Sequence, residues 1–229
     1  MSSLRLRFLI LLSILSFADA GAAAESARPR GFVNAADVVP GLQVEMRYFG
    51  EHNFVGRRID GYEGPVCLLT GQAAVAFSRV QRELAAVGLG LKAFDCYRPV
   101  RAVAHFVRWA QNLADQQRKA EFYPEVEKRN LFKEGYIATR SGHSRGSAID
   151  LTLVRLDGGA ELDMGTPYDF FSPRSWTSEQ SISAEARASR TLLSAAMRRG
   201  GFRPYAREWW HFTLTNEPFR DTYFDFPVK

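Results

Sequence analysis

Cysteine and histidine are scarce in this 229-residue chain, which has two of the first and four of the second. Two cysteines cannot build a disulfide-dense scaffold or an all-cysteine zinc site. The apolar run from Phe8 to Phe17 covers about ten residues, half of what a transmembrane helix needs, so no stable membrane anchor is expected. Lysine and arginine total 30 against 25 acidic residues, yet no basic run is interleaved with aromatics, which argues against a nucleic-acid partner. There is no internal repeat and no low-complexity tract, so solenoid and linker architectures are excluded.

What remains is the composition of a globular chain, 46% hydrophobic and 24% charged, of a size for one domain. Its first twenty residues stand apart. Arg5 and Arg7 precede the apolar run, and Ala18-Asp19-Ala20 ends it in a small-x-small pattern. Residues 1–20 therefore read as a signal peptide cleaved after Ala20, with cleavage after Ala24 as the alternative and a retained anchor as the competing reading. The expectation is an exported protein, periplasmic or secreted, with one catalytic domain over residues 25–229. In an oxidising compartment Cys67 and Cys96 invite a disulfide that would contribute roughly 3–4 kcal/mol by closing a loop of about thirty residues. Two buried free thiols are the other reading.

Along the chain, Leu42, Val44 and Met46 alternate like a strand within residues 38–49. Thr70 caps a helix whose apolar stripe, Ala74 to Val87, stops at Gly88. A buried strand from Leu89 to Phe94 leads to Asp95-Cys96-Tyr97-Arg98-Pro99, and Pro99 opens a helix with a stripe from Val103 to Leu113. Residues 115–140 show no clear order. Asp157-Gly158-Gly159 is a hairpin turn, Ser183 to Arg199 a helix, and Trp209 to Leu214 a strand. Separate helices and hairpin-linked strands predict an α+β fold with a largely antiparallel sheet.

The chemistry centres on Ser141 to Leu153. His143 enters from a glycine-bracketed loop, and Asp150 leaves a strand on the face opposite Ile149, Leu151 and Leu153. Imidazole and carboxylate converging there suit zinc, and His211 supplies a third ligand, leaving a fourth position open as catalytic zinc requires. His52 and His105 are expected in structural or surface roles. Glu208, three residues before His211, must sit in the turn before the strand to reach the same centre. There it would act as general base and acid, its pKa raised by the walls of Trp209 and Trp210. A surface glutamate or a salt bridge is the bland alternative. Arg98, between Tyr97 and Pro99, is placed to stabilise developing negative charge, unless it is an arginine in a surface turn.

Together, Ser141-x-His143-Ser-Arg-Gly-Ser-Ala-Ile-Asp150, Asp95-x-Tyr97-Arg98-Pro99 and Glu208-Trp-Trp-His211 resemble the zinc-dependent D-alanyl-D-alanine dipeptidases, the vancomycin-resistance type and its envelope relatives. The likeness runs from about Val44 to Lys229. It implies one zinc held by His143, Asp150 and His211, with Glu208 as base and acid and Arg98 at the tetrahedral intermediate. It also implies the zinc D,D-carboxypeptidase and hedgehog-like fold. By the same resemblance Ser141 holds the substrate carboxylate, Asp169 its free amine, and Tyr62 lines the pocket. Gly142 departs from the family, where a second serine is expected. Export is a second departure, and points to D-Ala-D-Ala released in wall turnover. The competing functions are a D,D- or L,D-carboxypeptidase on longer stems and a wall-binding module with a vestigial metal site.

Overall fold

A computed structural model describes residues 28–229, so the signal-peptide reading lies outside the described residues. Five strands form the main sheet: β2 (Gln43–Val44), β4 (Leu89–Asp95), β5 (Ala148–Arg155), β6 (Phe202–Tyr205) and β7 (Glu208–Leu214), in the order β2-β4-β5-β7-β6. Only the β2–β4 pair is parallel; the other three are antiparallel. A separate antiparallel pair joins β1 (Phe32–Asn34) to β3 (Leu68–Thr70). The helices are α1 (Gly71–Ala85), α2 (Val100–Gln111), the single turn α3 (Lys119–Phe122) and α4 (Ala184–Arg199). The α+β class read from the sequence is the class observed.

Local chemistry explains the element ends. Thr70 accepts the Ala73 amide and caps α1, and Ser183 does the same for α4 through Ala186. Both apolar stripes are shorter than the periodicity suggested. Val87 and Leu113 lie beyond the helix ends and are exposed. The expected strand at residues 38–49 shrinks to Gln43–Val44, because the chain beyond it turns back through a Phe49 N–H to Met46 carbonyl bond. The hairpin at Asp157-Gly158-Gly159 is present, closed by the Arg155 amide on the Ala160 carbonyl.

β5 is the central strand, buried on both faces from Ala148 to Val154. One side carries the aliphatic residues of the core, the other Asp150. Its start is fixed by Gly146, which takes φ +79°; a Cβ there would stand 2.2 Å from the Phe32 ring. Only glycine fits so close an approach in that backbone region. The chain thus turns sharply from the His143 loop into β5. Cys67, just before β3, and Cys96, just after β4, form a disulfide.

Candidate metal centre and its pocket

Two neighbouring antiparallel strands set Asp150 and His211 directly opposite each other, in register between β5 and β7. His211 Nδ1 lies 3.0 Å from Asp150 Oδ1. His143 comes from the short turn Gly142–Arg145, which Ser141 caps, and its Nε2 lies 3.1 Å from His211 Nδ1 and 3.2 Å from Asp150 Oδ1. Among the described residues this trio is the group of histidine and acidic side chains with its donor atoms gathered closely enough for a metal.

The donor set fits zinc. Ligands tetrahedrally placed about 2.0–2.1 Å from a zinc ion stand about 3.3–3.4 Å apart, close to the spacing of these three atoms. The outer hydrogen bonds also fix the rings. His143 Nδ1 lies 2.6 Å from the Cys96 carbonyl, which can only accept, so Nδ1 carries the proton and Nε2 presents its lone pair. His211 Nε2 lies 3.2 Å from Thr213 Oγ1, leaving Nδ1 for the centre. His52 pairs with Glu121 and His105 with Asp60, both away from the trio.

The trio opens onto a pocket of about 250 Å³. Glu208 lines it, its Oε2 3.7 Å from His211 Nδ1, and burial raises its carboxyl pKa. Its place corrects the sequence reading. Glu208 is the first residue of β7, not part of the preceding turn, and a register shift opposite Pro204–Tyr205 breaks the strict alternation. That bulge lets positions three apart face one cleft. Of the two tryptophans, Trp210 lines the pocket, whereas Trp209 turns away to donate its indole N–H to Thr166 Oγ1.

Arg98 is held by Asp95, with Nε at 2.9 Å and a terminal nitrogen at 2.8 Å from Oδ2. That nitrogen also lies 3.6 Å from Asp150 Oδ2. The guanidinium sits over the rings of Tyr48 and Phe106 and reaches the pocket wall. It is no surface-turn arginine. Asp95 itself is fully buried, and burial pushes its carboxyl up against the pull of Arg98.

Ser141 and Asp169 both line the pocket. Ser141 Oγ accepts the His143 amide at 3.3 Å, which leaves its O–H free to donate. Asp169 adopts φ +59° and accepts the Tyr48 hydroxyl at 2.8 Å. Burial and the charge of Asp150 push its carboxyl well above the usual range. Tyr62, expected to line the pocket, does not: it is 1% exposed and donates to Asp95 at 2.6 Å. The tyrosines on the wall are Tyr48, Tyr136 and Tyr205, and Tyr48 is the one that holds Asp169. Nothing local marks Tyr48 in the sequence, whereas Asp95 stands three residues before Arg98 in Asp95-Cys96-Tyr97-Arg98-Pro99.

Comparison with known proteins agrees with this geometry. The peptidase family described as D-ala-D-ala dipeptidase matches residues 28–229. A D-alanyl-D-alanine dipeptidase of Enterococcus faecium is 39% identical over 199 residues, 87% of this chain and 98% of its own. The Streptomyces coelicolor protein of the same description is 40% identical over 86% of this chain and 98% of its own, and that of Escherichia coli 35% over 80% and 83%. Among solved structures, the LD-carboxypeptidase LdcB aligns at TM-score 0.41 and 16% identity over 85% of this chain and 72% of that one. The vancomycin-resistance D,D-pentapeptidase VanY aligns at TM-score 0.40 and 12% identity over 69% and 78%; neither likeness is close enough to argue from. On the family match over residues 28–229 and the near-complete coverage of these relatives, the chain belongs to the D-ala-D-ala dipeptidase family of peptidases.

Proposed function

We propose that this protein is an exported, zinc-dependent dipeptidase that hydrolyses D-Ala-D-Ala to two D-alanines during peptidoglycan turnover. The observation that carries the reading is the joining of the His143–Asp150–His211 trio and the buried Asp169 carboxylate in one small pocket. Its volume of about 250 Å³ falls below the roughly 300–1,000 Å³ of sites for drug-sized ligands. That suits a dipeptide better than a longer stem. The relatives' shared description as D-alanyl-D-alanine dipeptidases supports the same substrate. The Cys67–Cys96 disulfide supports export, since such bonds persist in oxidising compartments. Among the described residues no helix is long and apolar enough to cross a membrane.

His143 Nε2, Asp150 Oδ1 and His211 Nδ1 would hold the zinc, which when bound supplies a Lewis acid for the scissile carbonyl and brings a water's pKa towards about 7. Asp169 receives the substrate ammonium and Ser141 donates to its carboxylate. Glu208 takes the proton of the attacking water and hands it to the departing amine, so that water is added across the bond and two amino acids leave. Arg98, held by Asp95, directs a charged donor at the oxyanion on the former carbonyl carbon.

The test is D-alanine release from D-Ala-D-Ala beside a pentapeptide stem with the same terminus, with and without zinc chelation and with Glu208→Ala. Cleavage of the dipeptide alone, lost on chelation and in the variant, is expected. Cleavage of the pentapeptide instead would reassign the protein as a carboxypeptidase. Zinc binding without cleavage of either would leave a wall-binding module.

A further inference from the structure

We propose that Arg140 is the charged anchor for the substrate's terminal carboxylate and sets the preference for a peptide with a free acid end. This rests on the dipeptidase reading. The pocket wall is crowded with acid: Asp150, Asp169 and Glu208 all face it. A zwitterionic dipeptide finds an ammonium partner there in Asp169, while its carboxylate needs a donor of its own, because the zinc and Arg98 are assigned to the scissile carbonyl.

Two arginines line the pocket. Arg98 is paired with Asp95, with contacts of 2.9 and 2.8 Å, leans on Asp150 at 3.6 Å, and is assigned to the oxyanion. Arg140 forms no ion pair among the described residues; its guanidinium carbon rests 5.1 Å from the centre of the Tyr223 ring. A ring face supports a cation without neutralising it. The neighbouring basic residue on the same ring, Arg145, is committed to both oxygens of Glu217 at 2.8 and 2.9 Å. Arg140, exposed at the pocket wall, is therefore the lining cation without a carboxylate partner among the described residues.

Its position in the chain gives the second strand of the argument. Arg140 immediately precedes Ser141, whose hydroxyl has a proton left to donate. Gly142 follows with no side chain, so it offers no hydroxyl of its own. The side-chain donors that residues 140–142 can turn to a carboxylate are thus the Ser141 O–H and the Arg140 guanidinium, whose fork matches carboxylate geometry. Asp169, held by Tyr48, and Arg140, resting on Tyr223, give the pocket a carboxylate and a cation on separate supports.

The zinc-loaded protein and Arg140→Gln should be assayed with D-Ala-D-Ala and with D-alanyl-D-alaninamide, which lacks the terminal charge. For the acid, the variant should raise KM about ten- to a hundredfold. The acid-to-amide ratio of kcat/KM should fall by a similar factor, and Arg140→Lys should recover part of it. An unchanged ratio in Arg140→Gln, whatever its absolute activity, overturns the proposal. Failure of the unaltered protein on D-Ala-D-Ala is a separate result, against the dipeptidase reading. In that case calorimetric binding of acid and amide to Glu208→Ala decides Arg140: tighter acid binding, lost on adding Arg140→Gln, supports the anchor, and equal binding rejects it.

Discussion

The imidazole of His143 is oriented by the backbone of Cys96: Nδ1 lies 2.6 Å from that carbonyl oxygen, closer than the 3.5 Å to Asp95 Oδ2, while the Cys96 sulfur is bonded to Cys67. The disulfide therefore ties down the residue whose carbonyl sets the tautomer of a candidate ligand. Replacing both cysteines by serine is expected to cost roughly 3–4 kcal/mol of stability through the freed loop. It should also weaken zinc binding about tenfold by loosening an outer partner of the site. Denaturant unfolding reads the first, and competition with a chromophoric chelator the second. Undiminished zinc affinity would mean that β4 alone places the Cys96 carbonyl.

Asp169 yields a pH prediction. Burial raises its carboxyl most, Asp150 and Glu208 add to the rise, and the Tyr48 hydroxyl and Arg98 oppose it. As pH falls through this elevated pKa the carboxylate takes a proton and can no longer pair with the substrate ammonium. KM should therefore climb on the acid side at a pH where an ordinary carboxylate is still ionised. Asp169→Asn should show the high KM at every pH and lose that acid rise. A variant with KM and pH profile like the parent would remove Asp169 from the amine subsite.

The loop that carries Asp169 is clamped from α4. Arg190 is buried and donates to the carbonyls of Met164, Arg174 and Trp176. Burial lowers its pKa to about 10, which still leaves it charged at neutral pH. Arg190→Met would strand three carbonyls, and a loss on the order of 3 kcal/mol in urea unfolding is expected. KM should rise as Asp169 is freed to shift. A stability change within about 0.5 kcal/mol, the range of ordinary surface substitutions, would show that the loop holds itself.

What the sequence revealed follows from how locally each feature is written. The His143–Asp150 segment, the Thr70 and Ser183 caps and the order of the main helices and strands all depend on neighbours within a few residues; these are where the pattern put them, although several element ends are not. Tyr48 depends on a partner 121 residues away, so no spacing signals it; Tyr62, beside glycine and glutamate in an inviting loop, is instead consumed by Asp95. Glu208 shows the intermediate case. Period-two reasoning correctly found a conflict between positions 208 and 211, but resolved it with a turn where the chain uses a bulge.

That bulge makes Glu208 the sharpest test of the mechanism. Its carboxylate approaches the centre at 3.7 Å from His211 without belonging to the donor trio. Removing its basicity should therefore leave the metal in place and stop the chemistry. Glu208→Gln keeps the size and the hydrogen bonding of the side chain but cannot accept the water's proton. kcat for D-Ala-D-Ala is expected to fall about 10²–10⁴-fold with zinc content near one per chain and KM little altered. His211→Ala should differ in kind, losing the zinc and the activity together. Metal analysis beside steady-state kinetics separates the two. Substantial turnover in Glu208→Gln would assign the proton transfer to another group, whereas zinc loss in that variant would make Glu208 a ligand and leave the trio as part of a larger set.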